Sequence, residues 1–313
     1  MPLGLRRGTV TAVLKRLPDL VRLEVDGIAC VAYPRLTGEV EEGDDVLVNE
    51  QARLLGLGSG GFDVLYANLT RGLGLAPEEG AHVMALPYTP GQVALSHDEE
   101  SDALADSLDG LPVVLCTLHS QVAPVCAALA GLRVAYVQVG GGALPVSLSD
   151  TVRALKARGL VAVAGAVAPC LDGDAQFLSA AAALAWAAAQ GHDVAVCAVG
   201  PGIAGTGTRL GHGALALADA ANAAAALGGR PVLAVRTSEA DPRERHRGVS
   251  HHARAVLDLC PGELLVPDDR DGEGWEAACA GLPLAHMGRG PDDDPSFFRA
   301  AYAAGAAARR LLG

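Results

Sequence analysis

Two stretches of the chain hold most of the residues capable of chemistry. The first, "RTSEADPRERHRGVSHHAR", Arg236 to Arg254, interleaves arginines with acids and carries His246, His251 and His252. Ser250 has the side chain of a helix N-cap, which puts His251 and His252 in a first helical turn. There the macrodipole disfavours an imidazolium, so both rings are expected neutral, a state that suits a general base or a metal ligand. With His246 they are the candidate catalytic residues, and Arg236, Asp241 and Arg245 are candidate ligand contacts. Glu239 or Asp241 would extend a metal-binding set, but no H-E-x-x-H spacing fixes one, so a metal and any cofactor stay open. An ion-paired structural loop is the competing reading of the same letters.

The second stretch is "AVGPGIAGTGTRLGHG", Ala198 to Gly213. Gly200, Gly202 and Gly205 spell a G-x-G-x-x-G after an apolar run, yet "TGTRLGHG" intervenes before any helix, unlike a dinucleotide fingerprint. Gly202 and Gly207 have P-loop spacing but are followed by Thr208 and Arg209 rather than Lys and Ser or Thr. What survives is general: glycines let backbone N–H groups converge on an anion, and Thr206, Thr208 and Arg209 would complete such a nest together with Gly200, Gly202, Gly205 and Gly207. A tight turn without a ligand is the alternative.

These side chains need a scaffold, and the grammar of the sequence supplies one in two parts. Residues 8 to 60 alternate apolar and polar with turn signals at Leu17-Pro18-Asp19, Asp26-Gly27 and Glu42-Gly43-Asp44, which predicts a small antiparallel β module, barrel-like, over 1–65. Residues 66–111 are read as a linker or hairpin extension. From Pro112 to the end, short apolar runs alternate with helical patterns. Strands are expected at 113–118, 134–139, 161–167, 193–199, 232–235 and 263–266, with a last one at 284–286. Helices are expected at 123–130, 148–158, 177–190, 214–227, 250–259, 275–280 and 296–312. The fold class is therefore α/β, a doubly wound, mostly parallel, Rossmann-like sheet preceded by the β module.

The loops richest in Gly, His, Asp and Arg follow successive strands: "LHSQ", "GGGALP", "APCLDGD", then the two stretches above. In open parallel sheets the ligand crevice lies outside the carboxyl ends of the strands, so the candidate site belongs there. His119 in the first of these loops is a further candidate contact, equally suited to satisfying a backbone carbonyl. Asp172 and Asp174 are commoner as turn formers than as cation ligands, and Cys170 lacks an evident base.

The 313 residues carry a formal charge of −12, and the one dense basic stretch, Arg236 to Arg254, is interleaved with acids, which argues against a nucleic-acid-coating surface. No apolar stretch is long enough for a membrane span, and the seven widely spaced cysteines form no C-x-x-C pair, so a reduced, cytoplasmic protein is expected. A homo-oligomer is compatible with the sequence.

The combination "LHSQVAP", "GGGALP", "DGDAQ", "GPGIAGTGTRLG" and "ALGGRPVLAVRTSEADPRERHRGVSHH" resembles an uncharacterised bacterial domain-of-unknown-function family over most of the chain. The resemblance implies membership, not a reaction. It also implies polar residues where this chain has Ala85, Gly140, Gln176 and Ser179: a lysine, an aspartate, a glutamate and an asparagine. Matching positions are Gly205 to Thr208, Arg236, Asp241, Arg243, Arg245, His246, Ser250, His251 and His252. Two functions fit these readings: an enzyme acting on a small anionic or phosphorylated metabolite, and a non-catalytic ligand-binding or assembly protein using the same crevice.

Overall fold

The computed structural model describes residues 3–56 and 60–313. The chain divides into two compact units, with the boundary between Ser96 and His97. Hydrophobic clusters assigned to the first unit draw only on its own residues, and the same holds for the second.

In the first unit the period-two pattern becomes β1 (Leu5–Leu17), β2 (Leu20–Val25), β3 (Ile28–Ala32), β4 (Asp45–Asn49) and β5 (Asp63–Asn68). Single helical turns α1 (Pro34–Thr37) and α2 (Gln51–Leu54) lie between them. The β2–β3 turn is Asp26-Gly27, both residues at positive φ (52° and 75°), which matches the right-handed twist of the flanking strands. The strands close into a barrel in the order β1-β2-β3-β5-β4, burying Val10, Leu23, Val25, Val46, Val48 and Leu65. Four of the pairings are antiparallel as expected, whereas β3 and β5 run parallel (Cys30↔Asp63, Val31↔Val64), because β5 returns beside β3 only after the excursion through β4. A separate two-stranded ribbon follows, β6 (Val83–Ala85) and β7 (Val93–Leu95), and Ala85 ends its first strand.

The second unit is a six-stranded, wholly parallel sheet. Its strands are β8 (Pro112–Cys116), β9 (Val134–Val139), β10 (Val163–Val167), β11 (Ala175–Phe177), β12 (Val194–Val199) and β13 (Arg230–Ala234), in the order β11-β10-β9-β12-β8-β13. The apolar strands are buried on both faces beneath α3 (Val122–Ala128), α4 (Asp150–Ala157), α5 (Ala180–Ala189), α6 (Ala216–Ala226), α7 (His251–Asp258), α8 (Trp275–Ala278) and α9 (Pro295–Arg310). Serine caps start three of the helices: Ser149 Oγ accepts from Val152 N at 2.9 Å, Ser179 Oγ from Ala182 N at 3.1 Å, and Ser250 Oγ from His252 N at 3.2 Å. Each cap satisfies one of the amide donors that the first turn leaves without a helical partner.

Two expected strands are reduced to single bridges. Leu265 pairs only with Val232, because Pro261-Gly262 and Pro267 bound the run, and proline offers no N–H to a ladder. The segment at 284–286 instead turns back on itself, His286 bridging to Arg289 through Met287 and Gly288, both at positive φ. Conversely, "AQF" forms the edge strand β11 where the sequence predicts a loop and the first residue of the helix over 177–190, and that helix begins at Ala180 instead. No helix among the described residues is long and apolar enough to cross a membrane, and all seven cysteines are unpaired.

Candidate functional site

The glycine stretch after β12 has two parts with different physics. Its flanks are packed backbone against backbone on the "GGG" loop after β9. A Cβ on Gly213 would lie 1.9 Å from Gly141 O, and one on Gly200 would lie 2.1 Å from Ala143 O. Hydrogen bonds fasten the two loops, Ala204 N to Gly141 O at 2.9 Å and Ala143 N to Pro201 O at 2.8 Å. Between the flanks, Gly205 and His212 form a bridge that closes a hairpin, and its tip, Thr206 to Leu210, is exposed. Thr206 and Thr208 hydroxyls lie 3.0 Å apart, and Gly207 has φ +84°, the backbone state that excludes most side chains. Arg209 is ion-paired at 2.8 Å to Asp258 at the end of α7, which draws the hairpin toward that helix. The position of a Cβ on Gly207 is 3.8 Å from the guanidinium carbon of Arg245.

The Arg/His stretch is fastened as a closed loop. β14 (Thr237–Ser238) pairs antiparallel with β15 (Gly248–Val249), and Ser250 N donates to Arg236 O at 2.8 Å just before α7 begins. Inside it, Asp241 is fully buried. Its carboxylate takes both arms of Arg243 (2.9 and 2.8 Å) and lies 3.3 Å from Arg289 and 3.5 Å from Arg236. Burial pushes the Asp241 carboxyl up, but the hydrogen bonds and charge of Arg243 outweigh it and hold it well below the usual carboxylate range. Asp294 completes the network, accepting from Ser238 Oγ at 2.5 Å and from Arg289 Nε at 3.2 Å. Three guanidiniums thus share two carboxylates, which leaves an excess of positive charge.

The histidines are packed against this network. His252 stacks on His212 (centroids 4.1 Å apart, rings 23° from parallel), while His251 and His246 meet His252 edge to face at 4.4 and 5.0 Å. His252 Nδ1 accepts from Arg236 at 3.1 Å, and His246 Nδ1 lies 2.7 Å from Ser250 Oγ. Burial, reinforced by the Arg236 charge, pulls His252 down to about 2 and His246 to about 3. Burial also lowers His212 and His251. Burial thus favours the neutral imidazole in all four rings, the same direction that the sequence predicts for His251 and His252 from the helix dipole. His286 stacks on Phe297 at 3.8 Å, and burial with the nearby Arg236 charge brings it to about 3.

Of the residues singled out by sequence, the fold brings together Arg236, Asp241, Arg245, His246, His251, His252 and the tip residue Gly207. His119 stands apart from this group. Its ring nitrogens lie 3.3 Å from Val199 O and 2.6 Å from Ser149 Oγ, tying the end of β12 to the cap of α4. Sequence reasoning did not select His212, Arg289 or Asp294. His212 had a signal, as the histidine in the glycine stretch; Arg289 and Asp294 come from a distant turn that only the fold carries here. Two positions departing from the resembled family pattern perform backbone work: Gln176 Oε1 accepts from Asp172 N and Gly173 N (2.9 and 3.1 Å), and Ser179 caps α5. A Cβ on Gly140 would meet Pro169 Cδ at 3.3 Å.

The same segments carry the relationship to other proteins. Residues 29–274, from the barrel through the Arg/His loop to the start of α8, match a family described as protein of unknown function, DUF3866. The chain belongs to that family. No curated protein matches the sequence. DUF3866 membership spans both units, and every residue of the His/Arg cluster except His286, Arg289 and Asp294 falls inside the matched region. An open cavity of ≈ 460 Å³ borders the cluster at His212 and is lined also by Gly141, Gly213, Asp219, Asn222 and Leu259.

Proposed function

We propose that the second unit binds a small anionic, phosphorylated metabolite at the carboxyl ends of the parallel strands and acts on it as an enzyme. The observation that carries this reading is Arg245. Its guanidinium has no ion pair among the described residues and stands against the exposed glycine tip at Gly207, beside a network already in positive excess. An anion there receives backbone N–H groups of the hairpin and the Arg245 charge, with the Thr206 and Thr208 hydroxyls alongside. Gly200, Gly202 and Gly205 hold the hairpin in place, and Arg209 anchors it to α7. The cavity beside His212 gives room for the body of the ligand. His246, His251 and His252, kept neutral, are the groups that handle protons, while Arg236 and Asp241 fix their surroundings. His119, included among the ligand contacts on sequence, acts in this reading by positioning the strand end.

Inorganic phosphate is the probe. At a concentration a hundred times its dissociation constant it should stabilise the folded chain by about 2.7 kcal/mol against urea, measured at constant ionic strength so that general salt effects cancel. Arg245→Ala and Gly207→Val should each remove the shift. If both variants fold and retain it in full, the hairpin is a structural turn. Phosphate binding with no turnover of phosphorylated compounds would favour the non-catalytic alternative.

A further inference from the structure

We propose that His212, His251 and His252 form the seat of one divalent transition-metal ion of the zinc class. The inference goes beyond the anion reading and narrows its proton roles: with an ion bound, His251 and His252 are ligands, and of the three proton-handling histidines His246 alone keeps that role. Each of the three rings offers one nitrogen, and these atoms lie within 4.8 Å of one another. An ion bound at about 2.0–2.1 Å in tetrahedral geometry holds its ligands about 3.4 Å apart, so the widest pair closes by at most about 1.4 Å, within reach of side-chain rotation.

The hydrogen bonds of the rings supply a second, independent observation. His212, only 7 % exposed, directs Nε2 to Arg209 O at 3.0 Å. A carbonyl only accepts, so Nε2 bears the proton and Nδ1 the lone pair. That Nδ1 is buried and has no partner. His251 repeats the arrangement with the nitrogens exchanged: Nδ1 faces Arg245 O at 3.4 Å, and Nε2 is buried and unpartnered. Two imidazoles, each with its proton on a backbone carbonyl and its lone pair turned away from every donor, have the outer-shell pattern of metal-bound histidine. Buried polar atoms are seldom left unsatisfied, and an ion satisfies both at once.

His252 is the conditional member. Its lone pair is at Nδ1, where it accepts from Arg236 at 3.1 Å, so an ion competes with Arg236 for that ring. His246 lies outside the set, its Nδ1 held by Ser250. Three protein ligands leave a coordination position free, as in catalytic rather than structural zinc sites, and this position is available to water or to a ligand.

The test uses the untagged full chain, stripped with chelator and titrated with Zn²⁺ by calorimetry and with Co²⁺ by visible absorption. The expected result is saturation at one ion per chain, with the cobalt bands of a four- or five-coordinate nitrogen site. His212→Ala and His251→Ala should each weaken binding at least tenfold, His252→Ala should weaken it less, and His82→Ala, at an exposed histidine of the first unit, should change nothing. Circular dichroism checks the fold of each variant, and His212→Asn and His251→Gln replace any that misfolds. Absence of saturable binding overturns the proposal. So does stoichiometric binding that survives both substitutions at 212 and 251. The phosphate shift, measured on the metal-free chain, is read separately, so either reading can fall without the other.

Discussion

At the scale of single residues, the second unit concentrates its electrostatic risk in one carboxylate. Asp241 is the shared counter-charge of Arg236, Arg243 and Arg289, and Arg236 is itself only 2 % exposed. Removing the charge while keeping the shape isolates its role. Asp241→Asn leaves Arg236 buried without its counter-charge, and breaking a buried pair in this way costs about 3–5 kcal/mol. Urea unfolding at neutral pH should show a loss of that size; a loss within experimental scatter would mean Arg289 and Asp294 carry the network without it. The pH dependence follows from the direction of the shift. A carboxyl whose folded pKa is depressed contributes stability above its unfolded value, about 3.9, and loses it as pH falls toward the folded value. Wild-type stability should therefore decline below about pH 4 partly through this group, and Asp241→Asn should lack that share of the decline.

At the scale of elements, the glycine stretch answers differently along its length, and substitution separates the answers. Gly213→Ala places a methyl group 1.9 Å from Gly141 O, backbone that has no rotamer to yield. Overpacking of this kind costs about 1–3 kcal/mol and here is expected at or above the top of that range. Gly207→Ala meets nothing closer than the flexible end of Arg245 at 3.8 Å and pays only for its positive φ, about 1–2 kcal/mol. Denaturation midpoints for the pair give the ordering, and a larger loss at 207 than at 213 would contradict it. How much of this is legible in sequence depends on the range of the interaction. The core strands β8, β9, β10, β12 and β13 announce themselves as apolar runs between helical patterns, and Ser250 with His251 and His252 is a local signal read correctly as a capped first turn. β11 carries no such signal, being three residues long and paired only along one edge. The alliance of His212 with His251 and His252 is hidden for another reason: it exists only because β12 and β13 lie on either side of β8 and end on the same side of the sheet. Glycines likewise look alike as letters, whether they serve a close approach or a turn.

At the scale of the molecule, each unit has its own buried clusters: Val10, Leu23, Val46 and Val48 in one, Val114, Tyr136, Val196, Phe297 and many others in the second. A chain beginning at His97 is therefore expected to fold, to unfold cooperatively in urea, and to keep the zinc stoichiometry of the full chain. A truncated chain that is soluble but lacks a cooperative transition would show that the second core is not self-sufficient. The closed barrel has a consequence of a different kind. An open sheet offers its outermost strand as a template, and chains exploit such templates both to recruit extended peptides and, by accident, to stack into fibrils. By pairing β5 with both β3 and β4, the barrel uses up its own border. Whatever the barrel recognises is gripped by side chains and loops, while among the described strands of this unit the β6–β7 ribbon still has main-chain edges to lend.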